Sequence, residues 1–249
     1  MKYGICPLSI VPVRADKEYM AEMTSQLLYG EGFKVLEQQK KWSKIRNAYD
    51  HHEGWVENGQ YREITEDEYK GLTSGAEELS QDLIAHIALS NQSLMPILFG
   101  SITSGSQLLK HHFEGNAVQG AKKKKNLVET ALLYLNAPFL SGGKTPFGVD
   151  ASGFSQMVYR INGYQLKRDV EEQSREGQAL SFIEESEPGD LAFFDDKEAR
   201  IDHVGIILPD NYIIHVNGRV RIDRLDHTGI FNTEINRYTH QLRVIKKIA

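Results

Sequence analysis

The chain has 249 residues, 40% of them hydrophobic and 25% charged, enough to build cores for one to three domains. Its formal net charge of -5 excludes a strongly basic nucleic-acid-binding domain, and no apolar run is long enough for a membrane-spanning helix. The single cysteine, Cys6, excludes an internal disulfide and a cysteine-rich zinc site.

Residues 1–65 favour short strands. "CPLSIVPVR" carries two prolines and suits an edge or opening strand, with Cys6 as a buried apolar filler. A turn at Gly30-Glu31-Gly32 is followed by Phe33, Val35 and Leu36, then Trp42 and Ile45, and Asn58-Gly59 marks another turn. Short strands with frequent turns predict a small barrel. His51 and His52 fall in a turn and read as surface residues. Residues 66–83 are acidic and Gly/Ser-bearing and read as a connector. Residues 84–118 again give short apolar runs split by Asn, Ser and Gly, predicting a second, irregular small barrel. The doublet at His111 and His112 does not make a strict repeat.

The pattern changes near residue 121. Lys122 to Lys125 read as a solvated linker. Leu127, Val128, Ala131, Leu132 and Leu135 then follow helical spacing until Pro138. After the loop "FLSGGKTPFGVD", a second helix is predicted over "ASGFSQMVYRINGY", with Phe154, Met157, Val158 and Ile161 as its apolar face and Gly163 at its end. Asp150 and Ser152 can satisfy free N–H groups at its start. "PGDLAFF", "DHVGIIL", "NYIIHV", "GRVRIDR" and "HQLRVIKKI" are predicted strands. Helices followed by an antiparallel meander make residues 121–249 an α+β domain.

A cysteine at a helix start loses its proton more easily, because unpaired N–H groups and the dipole favour the thiolate. It also needs an imidazole base and a group that orients that base. The site around residue 151 suits a nucleophile, yet Ala151 is a methyl group. His203 begins one strand and His215 ends the next, and antiparallel pairing can bring those two ends together, which suits a base and its orienter. On spacing alone, a strand histidine is more often a hydrogen-bonded structural residue than a catalyst. A three-ligand metal set with Asp202 has nothing else to commend it.

"GGKTPFGVDASGFSQMVYR" resembles the active-site segment of the NlpC/P60 cysteine peptidases, whose helix opens with Asp-Cys-Ser-Gly-Phe. "PGDLAFF", "DHVGIIL" and "NYIIHV" resemble the family's next three segments, in the family's order. "LKRDVEEQSREGQ", with Arg168 and Gln173, resembles the stretch between the catalytic helix and the PGD strand. Bacterial SH3-like modules often precede this domain. The resemblance therefore implies an SH3-like barrel over 1–65, a connector over 66–83, a second irregular SH3-like barrel over 84–118, and a papain-like α+β NlpC/P60 peptidase domain over 121–249, with helices packed on an antiparallel sheet.

In order and size the chain resembles γ-D-glutamyl-L-diamino acid endopeptidases, which cut murein stem peptides that have a free N-terminal L-Ala. The resemblance implies thioester chemistry with no metal or organic cofactor. It puts Ala151 at the nucleophile position, His203 as base and His215 as its orienter. Asp150 and Ser152 would line the end that receives the free amine, the Ala151 N–H would help form an oxyanion hole, and Tyr61 and Glu57 would contact substrate. Two departures matter. Ala151 replaces the cysteine, either by a substitution introduced to trap an intact peptide or by natural loss of activity. The flanks and both histidines persist, which favours the first. Ser141 stands where an aromatic residue usually precedes the Gly-Gly. The chain as written is then an inactive thiol protease. The alternatives are a non-catalytic muropeptide-binding protein, or an acyl-transferring relative with an apolar tunnel. No secretory signal is evident, so a cytoplasmic recycling role is expected, with a periplasmic or extracellular one if a signal was removed.

Overall fold

Alternating burial shapes the first part of the computed structural model, which describes residues 1–248. Two units divide the chain: Met1–Gly120 with Ser141–Thr145, and Ala121–Leu140 with Pro146 onward.

In the first unit, Lys2–Ile5 (β1), Ile10–Arg14 (β2), Met23–Leu28 (β3), Gly32–Gln38 (β4), Trp42–Asn47 (β5), Glu53–Glu57 (β6) and Arg62–Ile64 (β7) form an antiparallel sheet, ordered β3-β2-β6-β5-β4-β1-β7. Strand alternation sends Val11 and Val13 inward. There they meet Cys6, Leu27, Phe33, Val35, Ile45, Val56 and Tyr61 in one core.

The stretch expected as a connector holds a helix, Glu66–Thr73 (α1), and a strand, Glu78–Ser80 (β8). The helix is specified locally: Thr65 accepts from the Glu68 N–H while the Glu68 carboxylate accepts from the Thr65 N–H. That reciprocal cap, with three acidic residues in the first turn, favours a helix start. Beyond it lie Ile84–Ala88 (β9), Leu94–Leu98 (β10), Ser106–Leu109 (α2), His112–Phe113 (β11) and Ala117–Gln119 (β12). They make a three-stranded sheet, β10-β9-β11, and a ribbon, β12-β8, and a second closed barrel is not shown. The reason is apolar content: Ala85, Ile87, Ile97 and Leu109 share one core with Tyr3, Ile5, Tyr29, Ile64 and Tyr69 instead of building their own. The unit also includes Lys144–Thr145 (β13). The fully buried Lys144 ammonium lies 3.2 Å from the Glu31 carboxylate.

In the second unit the elements run Lys125–Leu132 (α3), Gly148–Val149 (β14), Ala151–Ile161 (α4), Val170–Ser174 (α5), Gln178–Leu180 (β15), Leu191–Asp195 (β16), Ile201–Leu208 (β17), Tyr212–Asn217 (β18), Arg219–Leu225 (β19), Gly229–Asn232 (β20) and Arg237–Lys247 (β21). The sheet order is β15-β21-β16-β17-β18-β19-β20, and β20 also pairs β21. One long strand thus closes the sheet on itself, which removes the exposed edges an open sheet would present. Helices α3, α4 and α5 pack on β17, and α4 also packs on β18. Every residue of α4 from Gly153 to Ile161 is buried, so this helix is enclosed on all sides rather than amphipathic. The lysine run is not wholly solvated: Lys124 Nζ lies 2.7 Å from the buried Asp190 carboxylate and 3.0 Å from that of Glu187.

Candidate active site

Asp150 starts α4 from an extended conformation, and its Oδ1 accepts from the Gly153 N–H at 2.7 Å. A short carboxylate in this position satisfies an N–H that the first helical turn leaves open. Arg168, almost fully buried, fastens the same corner. Its Nη2 lies 2.6 Å from Asp150 Oδ2, and its Nη1 donates to Ser152 Oγ at 2.7 Å. Gln173 Nε2 donates to the Ser152 carbonyl at 2.9 Å and to the Lys167 carbonyl at 2.7 Å, while its Oε1 accepts from Ser155 Oγ. Ala151, the first helical residue, is therefore held on a tip tied down on both sides. The Asp150 carboxylate, expected to read a substrate amine, already caps the helix and carries a guanidinium partner.

The register of β17 and β18 explains how two histidines meet. Gly205 pairs with His215, so His203, two residues along β17 on the same face, is the diagonal neighbour of His215. A side chain at 205 would block that diagonal: a Cβ there would lie 2.9 Å from the His215 Cβ and 2.7 Å from Ile213 Cδ1. With glycine in place, His203 Nε2 and His215 Nδ1 lie 2.9 Å apart. His215 Nε2 lies 3.0 Å from Asp223 Oδ2 on β19. Arg221 grips that carboxylate with two bonds, of 2.8 and 3.0 Å.

Burial depresses the basicity of both rings. His203 falls well below the ordinary histidine range because it is desolvated, with His240 and His215 adding to the effect. His215 is lowered by burial too, against the pull of Asp223. Burial works to raise the Asp223 carboxyl, but the hydrogen bonds from His215 and Arg221 prevail and hold it below the usual range. These states fix the tautomers. An ionised carboxylate only accepts, so His215 donates from Nε2 and accepts at Nδ1, and His203 donates from Nε2. The remaining lone pair of the neutral His203 ring is at Nδ1, as a general base requires.

Asp202 lies outside this cluster, exposed on the alternate phase of β17. The third ring present is His240, whose ligand atoms stand within 4.8 Å of those of His203 and His215. It stacks face to face with His203, a packing arrangement that does not point ring edges at a common ion. Among the described residues, no cysteine joins the cluster. Cys6 belongs to the first unit's core, and burial pushes its thiol up to about 12. Tyr61 and Glu57 also lie in the first unit. The Tyr61 hydroxyl lies 2.9 Å from Ser43 Oγ and accepts from Gln38 Nε2 at 3.1 Å, and Glu57 accepts from the Tyr19 hydroxyl at 2.6 Å.

Sequence reading missed Asp223, Arg221 and His240. Asp223 left a signal: it shares the period-two phase of the buried Leu225, while Ile222 beside it is exposed. A carboxylate in the inward phase next to a histidine-bearing strand marks a partner for that histidine. His240 left no comparable mark.

Residues 136–239 match the NlpC/P60 family, and residues 13–60 match the bacterial dipeptidyl-peptidase Sh3 domain. A γ-D-glutamyl-L-lysine dipeptidyl-peptidase of Bacillus subtilis is 31% identical over 107 residues, 41% of this chain and 36% of that protein. The chain thus spans about a third of that relative's length. Dipeptidyl-peptidase 6 of Lysinibacillus sphaericus is 24% identical over 251 residues, covering 85% of this chain and 88% of that protein. The crystal structure of an NlpC/P60 family protein from Bacillus cereus has the same fold, with a TM-score of 0.82, 16% identity and 99% of each chain covered.

Proposed function

Because the chain is an NlpC/P60 cysteine-peptidase-like protein with an N-terminal SH3-like domain, we propose that its site is that of a γ-D-glutamyl-diamino acid endopeptidase, silenced by alanine at the nucleophile position. The observation that carries this reading is the relay Asp223–His215–His203. It is buried and neutral at both rings, and it stands on strands that pack against the helix beginning at Ala151. A relay of this kind serves to take one proton from a nucleophile and return it to a leaving group.

With cysteine at 151, the thiolate attacks the γ-carbonyl of D-glutamate after His203 Nδ1 removes its proton. The carbonyl oxygen gathers charge near the open N–H of residue 151. The C–N bond breaks as the His203 imidazolium protonates the departing amine, and water then hydrolyses the thioester. Asp150 and Ser152 are assigned to the end that receives the free amine of L-Ala, with Glu57 and Tyr61 as further binding groups. The Asp150 carboxylate already accepts from the Gly153 N–H, Arg168 and Ser152 Oγ, so a substrate ammonium would join an existing hydrogen-bond network.

The test is to restore Ala151→Cys and incubate with L-Ala-γ-D-Glu bearing a C-terminal diamino acid. Release of L-Ala-D-Glu is expected. A folded Ala151→Cys protein that binds the peptide and releases nothing would overturn the assignment. The alanine itself favours a second reading, a non-catalytic muropeptide-binding protein. That reading predicts tight peptide binding by the chain as it stands and no gain of turnover on restoring cysteine.

A further inference from the structure

The edges of His203 are held by the relay, and its face is held by His240. β16 separates β21 from β17 in the sheet, yet the two imidazoles stack with centroids 4.0 Å apart and planes 19° from parallel. His215 stands edge-on to both, at 87° and 84°, and Phe194 flanks both at 5.8 and 6.0 Å. His240 Nδ1 lies 2.9 Å from Thr239 Oγ1, a contact that limits rotation of its own ring. His240 also lines a cavity of about 600 Å³, together with Asp195, Asp196, Asp202, His227 and Tyr238. His203 does not line that cavity. His240 is thus the ring that both lines the cavity and stacks on His203.

We propose that His240 is the positioning residue of the base: it clamps the plane of His203 and keeps cavity water from its face. The inference rests on the peptidase reading only for its catalytic meaning. A ring flip of His203 would exchange Nδ1 for Nε2 and break the bond to His215. A flat ring stacked on its face, with Phe194 beside it, leaves no volume for that turn. The groups that act electrostatically on the stacked pair are His215 from β18 and Asp223 from β19; Arg221 acts on His215, and Asp195, Asp196 and Asp202 line the cavity that His240 also lines. His240 itself titrates only at about 4, lowered by burial and by His215, so it acts as a neutral ring under ordinary conditions.

The test uses His240→Ala, which removes the ring, and His240→Phe, which keeps a flat one. In the chain with Ala151, the His203 titration is followed by nitrogen-15 NMR and assigned with His203→Asn. Hydration of the uncovered face is expected to raise it by about one pH unit in His240→Ala, with His240→Phe close to the parent. In the Ala151→Cys background, His240→Ala is expected to lower kcat about tenfold, with KM within about twofold and the acid limb of the pH profile moved up. His240→Phe keeps both. An unchanged His203 titration in a folded His240→Ala protein overturns the proposal, as does a His240→Phe that shifts as far as His240→Ala. If Ala151→Cys is inert while His240→Ala still moves the titration, the clamp stands and the peptidase reading falls.

Discussion

Replacing Gly205 with alanine tests whether the histidine pair depends on an empty position in the sheet. The added Cβ would lie 2.7 Å from Ile213 Cδ1, 2.8 Å from Ile213 Cγ1 and 2.9 Å from His215 Cβ. The terminal methyl can move, but His215 Cβ belongs to the directly paired residue and is fixed by the ladder. Overpacking of this kind costs about 1–3 kcal/mol. Alanine offsets part of that, about 0.5–1 kcal/mol, by restricting the unfolded chain. A net loss of roughly 1–2 kcal/mol lowers Tm by about 5 °C for a unit of this size. The strain should fall on the His215 ring and lengthen its bond to His203. Thermal unfolding by circular dichroism gives the first number, and the His203 titration by NMR gives the second. An alanine variant with unchanged or higher Tm and an unchanged titration would refute the idea that glycine makes room for the relay.

Asp223→Asn keeps the shape and removes the charge that both His215 and Arg221 use. Arg221 keeps its bond to Glu234, but loss of the charge beside the buried His215 costs about 3 kcal/mol, and an equilibrium urea titration should show it. The second unit's stability should also depend on acid. His203, His215 and His240 have folded pKa values below the unfolded value of 6.5, His240 at about 4. The unfolded chain therefore binds more protons below that value. Stability is full above pH 6.5 and falls as pH drops toward 4, and denaturation midpoints at pH 7.5, 6 and 5 would reveal a flat profile if this is wrong. In the first unit, Lys144→Met removes the cation beside the buried Glu31 carboxylate, which keeps its bonds from the Leu28 N–H and Asn47 Nδ2. It should cost about 3–5 kcal/mol, and an unchanged Tm would show that the ion pair contributes nothing.

The second unit was the more legible half. Its helices and strands announce themselves by period, and the quoted segments carry the order of the site: helix start, His203 strand, His215 strand. His203 and His215 were found because one begins and the other closes an apolar run that reads as a strand. His240 was not, because its strand is charged and partly exposed, and its partner lies two strands away, a relation no local pattern encodes. The role of Gly205 was equally hidden, since a glycine in a strand signals a close approach without saying of what. In the first unit, turn chemistry revealed short strands, but the extent of each core did not follow. Residues 84–118 look like a barrel when each run is scored alone, yet their few apolar side chains complete a neighbouring core. The acidic stretch at 66–73 reads as linker by composition, and only the Thr65–Glu68 pairing identifies it as a helix.

The closing strand β21 sets when the histidines can assemble. It pairs β16 on one side and both β15 and β20 on the other, and it delivers His240 to His203. Before β21 pairs, the sheet is open and the face of His203 is uncovered. Non-local pairing of this kind forms late and slowly. The three histidines therefore come together only when β21 docks, in the same step that closes the sheet.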